Sequence, residues 1–284
     1  MSDELIRFIF DTTDVRGEWV QLEQSYAETL VNHHYSPGVR QLIGEFLAAA
    51  SLLGATLKFE GTLILQARSE GEVPVIMAEA TSNNEVRAIV RGAEDALSHD
   101  FETLLAKGQL SITIDPTNGN RYQGIVGMTG NNLARCLEEY FLQSEQLPTR
   151  IWLAVDEHRA AGLFLQELPG RGDAALRVEQ WQHLLTLAET VKPEELLELP
   201  GDKLLHRLFH QDQLRLLRRD AIQFRCSCSQ LRTESMLIGL GREEIESILS
   251  EHGQVEVNCE FCLQSYRFNP EQARQLFGTK PAAH

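Results

Sequence analysis

Four of the five cysteines in this chain of 284 residues fall in two short stretches. "QFRCSCSQLR" supplies Cys226-x-Cys228 and "VNCEFCLQSYRF" supplies Cys259-x-x-Cys262. No other feature restricts the fold as much, because a tetrahedral zinc site needs four soft ligands at about 2.3 Å, which puts the sulfurs roughly 3.8 Å apart. Two cysteines on one tight backbone knuckle supply that spacing, and two such knuckles close a four-thiolate site. After the second pair, Tyr266 and Phe268 alternate as a strand leaving a knuckle does. Between the pairs, "REEIESILSEHG" carries Ile245, Ile248 and Leu249 at helical spacing and stops at Gly253, a suitable C-terminal cap. A small metal-centred module with little core of its own is expected over residues 223–284.

The first ten residues, "MSDELIRFIF", carry acids where a secretory signal needs bases, and no apolar run is long enough to cross a bilayer. A cytoplasmic location is the expectation, and in that reducing compartment paired cysteines signal metal binding or redox chemistry rather than a permanent disulfide. The bland reading is a structural zinc site. Against it stands the Cys-x-Cys spacing. In an extended strand residues i and i+2 lie about 6.6 Å apart at Cα, close to the disulfide limit of roughly 6.8 Å, so a Cys226–Cys228 bond requires a bent, strained backbone. Strained, exposed disulfides are the oxidising, regulatory ones, and oxidation of zinc thiolates ejects the metal. Because a structural zinc contributes on the order of 10 to 16 kcal/mol to folding, its loss should unfold the module.

The rest of the chain is large enough for one sizeable core, at 43% hydrophobic residues. Leu42, Ile43, Phe46, Leu47, Ala50 and Leu53 predict a buried helix. Short β-branched runs follow, "TLILQA", "VPVIMAEA", "EVRAIVRG", "LSITID" and "RYQGIVGM", with Asn118-Gly119 predicting a hairpin between the last two. Leu133, Cys136, Leu137, Tyr140 and Phe141 share a helical face, and "RIWLAVD" with "AGLFLQEL" predicts another hairpin. The fold class expected is α+β: an N-terminal domain of antiparallel sheet with helices over residues 1–175, a helical linker over 176–222, and the zinc module. The first boundary falls in the turn-forming "LPGRGDAA". In the linker, Pro193 and Pro200 cut the helical pattern into pieces near or below the length at which an isolated helix is even marginal, about 12 to 15 residues. Such pieces persist only while docked. Trp181, Leu184, Leu185, Leu204, Leu205, Leu208 and Phe209 line their apolar stripes, and these are the candidates for binding another polypeptide if the linker is packed in one state and exposed in another.

At this point the residues resemble a family, the bacterial redox-regulated 33-kDa chaperones of the heat shock protein 33 family. The likeness covers nearly the whole chain and is carried by "LLGATLKFEG", "RYQGIVGMTG", "CLEEYFLQSEQLPTR", "EELLELP" and "SILSEHGQVEVNCEFC" besides the cysteines. It implies that Cys226, Cys228, Cys259 and Cys262 hold one zinc per chain in a reduced, inactive state. It further implies an oxidised, zinc-free state with disulfides Cys226 to Cys228 and Cys259 to Cys262. That state is a homodimer that holds unfolding proteins during oxidative stress without ATP. No catalytic residues are expected. The stretch "CSCSQLRTE" carries less charge after the second cysteine than family members often do.

Two other readings of the cysteines remain. A zinc-ribbon module for nucleic acid has Arg225, Arg232 and Arg267 in its favour, but a net charge of −15 opposes contact with a polyanion. A thiol oxidoreductase would use Cys259-x-x-Cys262 at a helix start in a βαβ setting, where "LQSYRF" reads as strand. Cys136 reads as a small core residue, "HHY" at His33–Tyr35 as a helix end, and "GIVGMTG" as a turn after a strand without phosphate-cradling spacing.

Overall fold

Alternation along the first two strands decides which faces are buried. Strand β1 (Glu4–Phe10) and β2 (Val15–Leu22) put Ile6, Phe8, Phe10, Val15 and Trp19 on one face and Leu5, Val20 and Leu22 on the other, all of them buried. A sheet apolar on both faces needs a layer on each side. In the computed structural model, which describes residues 3–57, 60–170 and 173–278, both layers are present. Within the expected boundary stretch, Arg171 and Gly172 lie outside the described residues, as do residues 279–284 of the C-terminal module.

The chain divides into two compact units, Met1–Arg225 and Cys226–His284. In the first, helix α1 (Gln24–Leu30) follows β2, and its first turn is capped from a distance. The Asp3 carboxylate accepts from the backbone N–H groups of Glu23, Gln24 and Ser25 at 2.7, 2.9 and 2.6 Å. Helix α2 (Pro37–Gly54) is the long buried helix that the sequence predicts. Strands β3 (Gly61–Arg68), β4 (Val75–Thr81), β5 (Glu85–Arg91), β6 (Gln109–Pro116) and β7 (Tyr122–Gly127), with the short helix α3 (Phe101–Leu104) between β5 and β6, are the five β-branched runs. Helix α4 (Leu133–Tyr140) continues into a π-helical turn at Phe141–Glu145, and β8 (Thr149–Val155) pairs with β9 (Ala160–Glu167) as the second hairpin. Cys136 is fully buried, as a small core residue is.

Helices α5 (Ala174–Ala188), α6 (Pro193–Glu198) and α7 (Gly201–Phe209), divided at Pro193 and Pro200, occupy the stretch expected as a linker and lie within the first unit. The end of that stretch departs from expectation: Leu214–Ala221 is a strand, β10, paired antiparallel with β1, and β11 (Gln223–Phe224) runs parallel to β5. One sheet therefore has the order β10-β1-β2-β9-β8 and the other β11-β5-β4-β3-β6-β7. Helix α2 lies between them, and Leu5, Val20 and Phe164 of the first sheet join Phe46, Leu47, Leu65 and Ala78 in one core. On the opposite face of the first sheet, α5, α6 and α7 make a second core with Ile6, Phe8, Trp19, Leu163 and Leu165. Covering on both faces explains why every residue of β9 is buried.

The second unit holds α8 (Gln230–Leu240), α9 (Arg242–His252), the hairpin β12 (Val255–Asn258) with β13 (Ser265–Phe268), and α10 (Pro270–Gln275). Helix α9 ends as expected at Gly253, whose φ of 75° is the left-handed conformation that suits glycine, its N–H reaching the Leu249 carbonyl at 2.9 Å. Its buried core comprises Leu237, Ile245, Leu249, Val255, Phe268 and Ala273.

Candidate metal centre

The hairpin of β12 and β13 turns through Cys259–Gln264. The N–H of Cys259 donates to the Gln264 carbonyl at 2.9 Å, and the N–H of Leu263 donates to the Cys259 carbonyl at 2.8 Å. Closing so tight a turn puts Leu263 at a positive φ of 57°. It also points both sulfurs, Cys259 and Cys262, to one side. The other pair lies on the irregular stretch between β11 and α8, where Ser229 caps α8 through its side chain, accepting from the Arg232 N–H at 3.2 Å. Cys228 directly precedes that cap.

All four sulfurs lie within 4.8 Å of one another. Cys226 Sγ is 3.5 Å from Cys259 Sγ, and Cys228 Sγ is 3.4 Å from Cys262 Sγ. A tetrahedral zinc with four thiolates requires sulfur separations of roughly 3.8 Å, so the set fits the ion with small adjustments. Burial, and then hydrogen bonding with the other three sulfurs, pushes the Cys262 thiol up. Tyr266, on β13, donates its hydroxyl hydrogen to Cys228 Sγ at 3.2 Å. That bond, and then burial, pushes the phenol up to about 12. The alternation noticed in the sequence placed Tyr266 on a strand; its contact with a sulfur had no signal there.

The seven linker candidates are mostly buried. Leu184, Leu204, Leu205, Leu208 and Phe209 belong to the second core, and Trp181 packs against it half-buried. Leu185 is buried as well, beside Trp181 in a cleft with Pro148 and Arg150. Polar contacts register the linker on the sheet. Gln21 Nε2 donates to the Leu197 carbonyl at 2.5 Å, Arg159 Nη1 donates to the same oxygen at 3.4 Å, and Arg150 reaches Glu189 at 3.1 Å.

Comparison with known proteins places this architecture. The sequence profile of the family described as "Hsp33 protein" matches residues 3–269. The chain belongs to the Hsp33 family. A 33 kDa chaperonin of Pseudomonas aeruginosa (strain LESB58) is 48% identical to this Hsp33 chain over 281 residues, covering 97% of the chain and 95% of the relative. The 33 kDa chaperonin of Ectopseudomonas mendocina (strain ymp) is 49% identical over 282 residues, covering 98% and 96%. The crystal structure of the 33 kDa chaperonin of Thermotoga maritima has a TM-score of 0.83 at 22% identity, covering 97% of this chain and 98% of that one, a likeness of fold.

Proposed function

We propose that this Hsp33 chain is a redox-regulated, ATP-independent holdase. It is reduced, zinc-bound and inactive in one state, and oxidised, zinc-free and able to hold unfolding client proteins in the other. The observation that carries the reading is the convergence of four cysteine sulfurs in a unit whose described core is six residues. So small a core rarely supplies more than about 3 to 5 kcal/mol. A structural zinc adds on the order of 10 to 16 kcal/mol. Metal removal therefore decides whether the unit stays folded. Cys226, Cys228, Cys259 and Cys262 would hold one zinc per chain, whose charge keeps the sulfurs as thiolates. Each disulfide takes two electrons from two thiolates, reduces one peroxide to two waters with two protons, and leaves two fewer anionic donors. Family likeness, rather than the sulfur distances, supports the pairs Cys226 with Cys228 and Cys259 with Cys262.

Residues 176–222 act as the responsive linker in this reading, exposing Trp181, Leu184, Leu185, Leu204, Leu205, Leu208 and Phe209 to clients or to a second copy in an oxidised homodimer. The chaperone name of the relatives supports unfolded proteins as partners and a non-enzymatic role. Among the described residues no helix is long and apolar enough to cross a membrane, and a cytoplasmic setting suits thiols that must start reduced. Nucleic acid suits the chain poorly. Of the three arginines near the cysteines, Arg225 is paired with Glu85 and Arg267 with Glu256, at 2.5 and 3.1 Å. An oxidoreductase is disfavoured because Cys259 and Cys262 occupy a hairpin turn rather than a helix start.

The deciding experiment follows light scattering of an aggregating client with reduced and peroxide-treated protein, read beside zinc release. Suppression by the oxidised sample alone is expected. Equal suppression by both samples, or a reduced chain that takes up no zinc, overturns the proposal.

A further inference from the structure

Of the nine histidines, only His206 and His210 stand four residues apart. Both lie toward the C-terminal end of α7, whose buried face, Leu204, Leu205, Leu208 and Phe209, leaves them together on the exposed side. That spacing sets two side chains one turn apart on one face of a helix, the arrangement by which paired histidines hold a metal ion. The two rings are stacked, with centroids 5.8 Å apart and planes 29° from parallel. Their nitrogens are uncommitted. Among the described residues His206 makes no hydrogen bond or ion pair, whereas His183 is bonded to Asp212 at 3.1 Å. His210 Nε2 meets the Gln211 side-chain amide at 3.5 Å, long for a hydrogen bond. Charged neighbours on α7 are Arg207, held by Glu195, Asp202, paired with Arg219, and Lys203, exposed three residues before His206. A bound cation has to tolerate only the last of these.

We propose that His206 and His210 chelate one divalent first-row transition ion on the outer face of α7, with water filling its other positions. Imidazole suits copper, nickel and zinc alike. Bound side by side at about 2.1 Å, two imidazole nitrogens lie about 3 Å apart, a separation that rings already facing each other reach by rotation of their side chains. Docking of α7 on the sheet holds the backbone beneath them, so no helix has to form at the moment of binding. The ion also sits in the last turn of the helix, where unpaired carbonyls favour positive charge. Gln211, its amide turned to present oxygen, is placed to give a third ligand. Because the two rings must stay one turn apart, the ion binds helical α7 more tightly than an unwound chain, and by linkage it keeps α7 folded.

Calorimetric titration of the untagged, reduced, zinc-loaded full chain with nickel chloride tests the site, and the binding arm does not depend on the redox reading. Nickel takes imidazole readily and, unlike copper, does not oxidise thiols. One nickel ion per chain should bind saturably in the micromolar range, with the cysteine zinc retained. Affinity should fall about tenfold or more in His206→Gln and in His210→Gln, each of which leaves a single ring, and should not change in His252→Gln, an exposed histidine of the second unit. Combining His210→Gln with Gln211→His keeps two histidines but loses the one-turn spacing, and should not restore binding. With saturating nickel, hydrogen exchange in 201–210 should slow several-fold in the parent and not in His210→Gln. Absence of saturable heat below millimolar nickel, uptake matched by zinc release, binding that survives both single substitutions, or full affinity in the shifted pair overturns the proposal. Binding without slowed exchange overturns the hold on α7 and leaves the holdase reading untouched.

Discussion

Tyr266 and Glu195 are single side chains whose hydrogen bonds make measurable claims. Tyr266 donates to Cys228 Sγ while its ring packs against the small core of the second unit. A donor to a thiolate ligand tempers its charge and fixes its direction, and loss of such a partner typically weakens metal binding by about 10- to 100-fold. Tyr266→Phe, which keeps the ring, should weaken zinc on the order of tenfold in competition with a chelator, whereas Cys136→Ser should not alter the metal ratio. In the linker, Arg207 Nε donates to Glu195 Oε1 at 2.6 Å and Arg207 Nη2 pairs with Oε2, tying α7 to α6. Hydrogen bonding from Arg207 holds the Glu195 carboxyl down at about 2. A depressed carboxylate stabilises the fold fully above its unfolded value of about 4.5 and loses that contribution as pH falls toward about 2. For a pair this accessible the contribution is under about 1 kcal/mol. Thermal melts of the parent and Glu195→Gln should differ at neutral pH and converge between about pH 4.5 and 2.

Among the elements, α7 depends on one position without a side chain. A Cβ built on Gly201 would lie 2.5 Å from Ile6 Cδ1 and 2.6 Å from the Trp19 ring, so the start of α7 reaches the sheet only because residue 201 is glycine. Gly201→Ala should cost about 1 to 3 kcal/mol in overpacking, all of it charged to the docked linker. Zinc-loaded, reduced Gly201→Ala is expected to exchange amide hydrogens in 193–209 faster than the parent, with β2 and β9 unchanged. The short helices themselves were legible in the sequence, because Pro193 and Pro200 mark their starts and the leucine stripes mark their buried faces. The long helix α2 and both hairpins were legible for the same reason, a clear period. Strand β10 was not. Leu214, Leu216 and Leu217 interleaved with Arg215, Arg218 and Arg219 show no clean alternation, and as an edge strand β10 is largely exposed on both faces, so no pattern of burial is written into it. The cysteine cluster was legible from spacing alone, since ligand geometry acts at short range. The sheet face beneath the linker was not, because it takes Ile6, Phe8, Trp19, Leu163 and Leu165 from strands far apart in the chain.

For the whole molecule, the linker and the cysteines belong to different units. Helices α5 to α7 share a core with the first sheet, and the chain is then tied to both sheets by β10 and β11 immediately before Cys226. Arg225 adds its N–H to the Val86 carbonyl at 3.1 Å. In the proposed switch, loss of zinc would take the metal's support from the second unit without breaking any of these contacts. The proposed switch therefore needs two inputs: peroxide would act on the sulfurs, and warming would loosen helices that are individually marginal. Thiolates held by a metal are poorer nucleophiles than free ones, so slow oxidants should gain access mainly when the second unit opens, and opening is also favoured by heat. Cys259 and Cys262, at the more easily bridged spacing, should oxidise first, with Cys226 and Cys228 following once the backbone between them can bend. Disulfide mapping over time at two temperatures, beside hydrogen exchange and client light scattering, separates these steps. In the cold, peroxide should give slow zinc loss with α5 to α7 still protected and little holdase activity. On warming, protection in α5 to α7 should fall and activity should rise together, while β3, β6 and β9 keep their protection. Equal rates of both disulfides at the two temperatures, with activity rising in step, would leave a plain oxidant sensor in which the docked linker has no gating role.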